Sequence, residues 1–108
     1  MIVVTYYPAR SSLTVKGHAG SNVYGKDLIC AAVSSLVLTL AANAGQLEEH
    51  GFVSEAVVIL ESGNARIRCK PKPPYRARVE QAFDTVCLGF QLLARKFPNH
   101  VAYKAIDN

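Results

Sequence analysis

The sequence predicts an α+β fold, two helices packed on a mostly antiparallel sheet in the order β-β-α-β-β-α-β. Three observations carry that expectation. Short stretches rich in β-branched residues alternate apolar with polar, two long segments repeat apolar residues at helical spacing, and turn residues separate them. The 108 residues suit a single domain over positions 1–108, large enough to bury roughly two-thirds of the surface its unfolded chain exposes. Half of the residues are hydrophobic and 19% are charged, a balance that disordered chains lack.

Ile2 to Tyr7 is β-branched and aromatic and reads as a strand. Pro8 to Ser12 is a turn, and Leu13-Thr14-Val15-Lys16 alternates as a half-buried strand does, so the two form a hairpin ending at Gly17-His18. Ala19 to Lys26 carries Gly20, Ser21, Asn22 and Gly25, with Val23 and Tyr24 its only sizeable apolar groups, and reads as a mobile loop. A helix begins at Leu28, with Asp27 as its N-cap and Gly45 as its stop. Its apolar residues run nearly all round, with Ser35, Thr39 and Asn43 as a thin polar stripe, so burial on most sides is expected.

Phe52 to Leu60 is a second β-rich stretch, Ser62-Gly63-Asn64 a tight turn, and Ala65 to Lys70 an alternating strand. In that strand Arg66, Arg68 and Lys70 fall on one face, and Ala65, Ile67 and Cys69 on the other. Pro71, Pro73 and Pro74 stop it. Arg76 to Phe97 is the cleanest amphipathic helix, its stripe being Val79, Phe83, Val86, Phe90, Leu93 and Phe97. Pro98 ends it, and His100 to Ile106 closes the sheet with Val101 and Tyr103 on one face.

No basic region precedes the apolar run at the start, so no secretory signal is expected. The stretch Leu28 to Ala42 is interrupted by Ser34, Ser35 and Thr39 and is expected to fall short of a membrane span. The expectation is a soluble, cytoplasmic protein. Cys30, Cys69 and Cys87 are odd in number and contain no CxxC, which argues for a reducing compartment over a disulfide framework. His18, His50 and His100 lack paired-ligand spacing, so neither zinc nor any other cofactor is expected. The net charge of +4 permits an anionic partner without demanding one, and direct nucleic-acid binding is not expected.

The chemistry-bearing stretch is Gly17-His18-Ala19-Gly20 together with Gly25-Lys26-Asp27-Leu28-Ile29-Cys30-Ala31-Ala32-Val33-Ser34. A histidine ends a strand, a glycine-bounded loop comes next, and a cysteine falls in the first turn of a helix. The positive end of a helix favours a thiolate, the nucleophilic form of cysteine, and its amides can stabilise an oxyanion. Each residue alone has a plainer explanation. A free cysteine is among the most buried residue types, and a histidine can simply cap a turn.

Taken together, the stretch resembles the signature of the bacterial ribosomal-processing cysteine peptidase family, and length and element order extend the resemblance over the whole chain. The resemblance implies a Cys30–His18 dyad, nucleophile and general base twelve positions apart, with Asp27 and Ser34 in supporting places. It implies an N-terminally extended large-subunit ribosomal protein as substrate, cleavage after an aromatic residue, and a homodimer. Gly20, Ser21, Asn22, Tyr24 and Gly25 then belong to a substrate loop that orders over the peptide. Asp27 is balanced between a pure cap and an added role orienting His18, and Ser34, one turn beyond Cys30, reads rather as core or as bonding to the helix backbone.

Two rival functions stand beside this one. A non-enzymatic ribosome-associated module would use the basic face from Arg66 to Lys72 and would bind with steep salt dependence. A redox-sensing thiol at Cys30 is disfavoured, because no resolving cysteine is near it in sequence. Cys69 and Cys87 read as structural, and His50 and His100 are given no role.

Overall fold

Five strands pair in the order β3-β4-β2-β1-β5. The computed structural model describes residues 1–18 and 26–107, of Lys26 and Asp27 the backbone only. Strands β1 (Ile2–Tyr7) and β2 (Ser12–Lys16) are joined through a 3-10 turn at Pro8–Arg10. They run antiparallel, with Val4 opposite Val15 and Tyr6 opposite Leu13. Helix α1 (Lys26–Glu49) leads into the hairpin of β3 (Val53–Glu61) and β4 (Asn64–Pro71), and α2 (Arg76–Lys96) leads into β5 (Val101–Ala105). β5 lies parallel to β1, and the other three pairings are antiparallel. The expected α+β class and element order hold.

Strand alternation decides which face is covered. Val4, Tyr6, Leu13, Val15, Ile67 and Cys69 share one face through the register and are buried under the helices. Thr14, Arg66, Arg68 and Lys70 share the opposite face. Helix α2 contributes Val79, Phe83, Val86, Cys87 and Phe90 to the core. Tyr6 stacks on Phe83 at 5.8 Å between ring centroids. The Tyr6 hydroxyl donates to Asp84 Oδ1 at 3.3 Å, which satisfies the polar end of a side chain that is otherwise buried.

Helix α1 departs from its expected form in three ways. It begins at Lys26, so Asp27 lies inside the first turn and Cys30 is the fifth helical residue, at the start of the second turn. It passes straight through Gly45, which is exposed, to Glu49, and the chain turns away at Gly51. There φ is +76°, Gly51 N–H donates to Glu48 O at 3.0 Å, and Phe52 N–H donates to Leu47 O at 2.9 Å. These paired bonds satisfy the last carbonyls of the helix and need a left-handed residue, which Gly51 supplies and Gly45 does not.

The third departure concerns burial and length. Only the stripe Ile29, Val33, Val37, Leu40, Ala44 and Leu47 is buried, whereas Leu28, Ala31, Leu38 and Ala42 are exposed. The expected burial on most sides is therefore wrong for the described chain, because the sheet covers one side and α2 only part of another. The segment Leu28–Glu49 is also 22 residues of hydropathy 1.9, long and apolar enough by length and composition to cross a membrane. The serines and threonine do not shorten it as expected, since a helix accommodates them without a break. Its inner stripe is nonetheless part of the core formed with the sheet.

The two glycines give opposite outcomes on substitution. Gly51→Ala forces a Cβ into a left-handed conformation and lowers stability by about 1 kcal/mol. Gly45→Ala meets nothing within 4 Å and raises stability by about 1 kcal/mol through the gain in helix propensity. Thermal melting of the two variants checks both signs.

Candidate active site

The end of β2 is held by its neighbours on both sides. Lys16 pairs with Asn64 of β4, and one residue on, Gly17 N–H donates to the carbonyl of Gly63 at 2.9 Å. The Met1 nitrogen donates to the carbonyl of His18 at 2.8 Å. Gly17 has φ of +98°, and a Cβ there would overlap the Met1 carbonyl oxygen, so the close approach of β1 leaves room only for glycine. His18 is thus delivered at a corner where β1, β2 and the β3–β4 turn meet.

Cys30 comes from α1. Helical spacing places Ile29, Val33 and Val37 against the sheet, and Cys30 lies beside that stripe, half-buried, with Ser34 one turn further along. His18, Cys30 and Ser34 all line one groove of about 390 Å³. Its walls are Val33, Val37 and Leu38 of α1 and the hairpin residues from Leu60 to Ala65. Leu38 is 57% exposed and Leu60 48%, which leaves two apolar rims facing solvent. Glu61 is the one acidic side chain of the described lining.

The other two cysteines sit differently. Cys69 and Cys87 are each 2% exposed. Burial pushes both thiols up to about 11, Glu48 adding to the rise at Cys69. Both therefore stay protonated and unreactive at neutral pH, as expected of structural residues. None of the three is bridged.

Of the residues named from sequence, His18, Cys30 and Ser34 are brought to one groove. Gly20, Ser21, Asn22, Tyr24 and Gly25, and with them the expected substrate loop, lie outside the described residues, as does the side chain of Asp27. The basic face from Arg66 to Lys70 points to the side of the sheet away from the helices. Part of its charge is engaged, since Arg68 lies 3.4 Å from Glu55. Among the described residues, no three His, Cys, Asp or Glu side chains converge as a metal ion would require.

Sequence reasoning missed the groove walls. Val33, Val37 and Leu38 read as core, and Leu60 and Gly63 as strand end and turn. The signal that joins them is the pairing of β2 with β4, which brings the hairpin tip beside His18. A pattern of alternation does not specify which strand pairs with which.

Solved structures share this fold. A structure of SMU.848 from Streptococcus mutans is 25% identical, with a TM-score of 0.68 over 99% of this chain and 93% of that one. The essential ribosomal processing protease Prp from S. aureus, in complex with a covalently linked product peptide, is 16% identical, with a TM-score of 0.70 over 98% of this chain and 100% of that one. The same S. aureus protease with a substrate peptide is 13% identical, with a TM-score of 0.70 over 97% of each chain. No curated protein sequence matches the chain. The pattern of the family described as Cysteine protease Prp matches residues 1–102, nearly the whole chain, and the chain therefore belongs to that cysteine protease family.

Proposed function

We propose that the protein is a thiol endopeptidase that removes the N-terminal extension of a large-subunit ribosomal protein, with Cys30 as nucleophile and His18 as general base. One observation carries the reading: a histidine from the end of β2 and a half-buried cysteine from the start of α1 line the same apolar groove. In the reaction, His18 takes the thiol proton and the Cys30 sulfur attacks the scissile carbonyl carbon. His18 then gives the proton to the departing amine, leaving an acyl-enzyme. Water, deprotonated by His18, attacks the thioester and releases the carboxylate. The positive end of α1, one turn before Cys30, favours the anionic sulfur. Asp27 and Ser34 act in support, orienting groups around the dyad.

The groove suits an extended peptide. Val33, Val37, Leu38 and Leu60 offer apolar walls to a large side chain, in keeping with cleavage after an aromatic residue. Binding of peptides by the S. aureus protease supports the same kind of substrate here. The non-enzymatic module on Arg66 to Lys72 is disfavoured by membership of a protease family. The enzyme works in the cytoplasm, where ribosomal proteins are made and thiols stay reduced. It acts as a homodimer, a contact that would cover apolar residues left open on α2, such as Leu88 and Leu92.

Incubation with N-terminally extended ribosomal proteins, read by mass spectrometry, should show one cut in the extension. Cys30→Ala and His18→Ala should each abolish it while leaving the melting transition nearly intact, because Cys30 is only half-buried and His18 is exposed. A Cys30→Ala protein that still cuts would end the reading.

Iodoacetamide at neutral pH should modify Cys30 well before Cys69 or Cys87, both of which are shut in the core with thiols held near 11. Peptide mapping of the labelled native protein gives the order of reaction, and equal rates at all three sites would contradict it.

Light scattering at micromolar concentration should return twice the chain mass. Leu88→Glu together with Leu92→Glu, adjacent on one exposed face of α2, should return a folded monomer.

A further inference from the structure

The tip of the β3–β4 hairpin does more than turn the chain. We propose that Gly63 is a positioning residue for the general base, its missing side chain leaving the space in which the His18 imidazole rests. The inference builds on the dyad reading above. A Cβ built on Gly63 would overlap His18 Nε2 and would lie 3.0 Å from Cε1 and 3.2 Å from Cδ2. The outer edge of the ring therefore faces the bare Cα of residue 63, closer than any side chain permits.

The same residue fixes the backbone beside the ring. Its carbonyl accepts the Gly17 N–H at 2.9 Å, which ties the residue just before His18 to the hairpin tip. Gly63 is half-buried, and its φ of +71° completes a two-residue turn between the paired residues Glu61 and Asn64. His18 itself is exposed and lies two residues past the end of β2, beside the hairpin tip. A general base works only within hydrogen-bond reach of the proton it moves, and a displacement of about 1 Å can cost on the order of a hundredfold. Any side chain at residue 63 must push the imidazole out of its present place, since the Cβ itself is already in conflict.

Turn chemistry alone would also favour glycine here, so the test separates the two. Asn adopts the left-handed conformation more readily than other non-glycine residues, and Gly63→Asn thus keeps the turn while adding a Cβ. Gly63→Asn and Gly63→Ala should lower kcat for peptide cleavage by roughly tenfold or more, with KM little changed, and should displace the pH profile of kcat/KM. They should also slow iodoacetamide modification of Cys30 at neutral pH. In a His18→Ala background the conflict is gone, so adding Gly63→Ala should cost a smaller melting shift than in the parent and should leave Cys30 alkylation unchanged. The strain of the left-handed backbone is present in both backgrounds and cancels in this cycle.

A folded Gly63→Asn protein with parental kcat, pH profile and Cys30 alkylation would overturn the inference. So would equal melting losses in the two backgrounds, which would leave Gly63 a turn residue only. If His18→Ala itself cleaves normally, the dyad reading fails first and the inference falls with it. If His18→Ala is inactive and Gly63→Asn is normal, the inference alone fails.

Discussion

The pairing of β2 with β4 is the constraint on which the groove depends. It sets Leu13 opposite Ile67 and Lys16 opposite Asn64, so the end of β2 meets the beginning of β4. The tip of the β3–β4 hairpin must then lie beside the two residues after Lys16. Those residues are Gly17 and His18, and the Gly17 N–H to Gly63 carbonyl bond extends the ladder one step past its last regular pair. A shift of register by one residue would turn Leu13, Val15, Ile67 and Cys69 out of the core. Four buried side chains thus enforce the register that brings the hairpin to the histidine. Core packing and site geometry are one condition.

The second half of the site depends on α1, which has to serve two surfaces at once. Its inner stripe from Ile29 to Leu47 is buried with the sheet and supplies a large share of the apolar area that stabilises the fold. Cys30 comes directly after Ile29 and therefore points about 100° away from it round the helix. That offset is enough to take the sulfur out of the core and set it in the groove wall. The same rotation leaves Leu38, two turns on, exposed at the groove rim. Near the second helix, Leu36 approaches Gly89 so closely that a Cβ there would lie 2.9 Å from its methyl groups. α1 is thus fixed against both sheet and α2, and the position of Cys30 is fixed with it.

Much of this is legible in the sequence because local patterns carry it. Alternation places Ile67 and Cys69 inside and Arg66 and Arg68 outside, and the spacing from Val79 to Phe90 locates the buried stripe of α2. His18 and Cys30 can be singled out because a histidine at a strand end and a cysteine near a helix start are each local features. The end of α1 is not legible, for a physical reason. Gly45 costs the helix interior only about 1 kcal/mol, which packing of Ala44 and Leu47 on the sheet outweighs, and the true stop is set by a left-handed φ that composition does not show. The burial of α1 is not legible either, because hydrophobicity says what a face could bury and not what is present to cover it. The groove walls are out of reach because they come from α1 and the β3–β4 hairpin, which only the packing of α1 on the sheet and the pairing of β2 with β4 bring together.

Three cysteines of identical chemistry end in different surroundings because of where their elements carry them. Cys69 lies on the covered face of β4, a strand with neighbours on both sides, and Cys87 lies on the inner side of α2 between Phe83 and Phe90. For both, ionisation would bury a charge, a cost that the Tyr103 hydrogen bond to Cys87 only partly offsets, so the thiol stays protonated until the pH is well above neutral. Cys30 is half-buried and lines the groove together with Val33 and Val37, which are apolar too. In the proposed reaction the histidine lining the same groove is the group that takes up the thiol proton and gives it back. On that proposal the placement of His18 matters more than the placement of any other polar group in the groove. A cysteine against apolar walls with no such partner would be one more structural thiol.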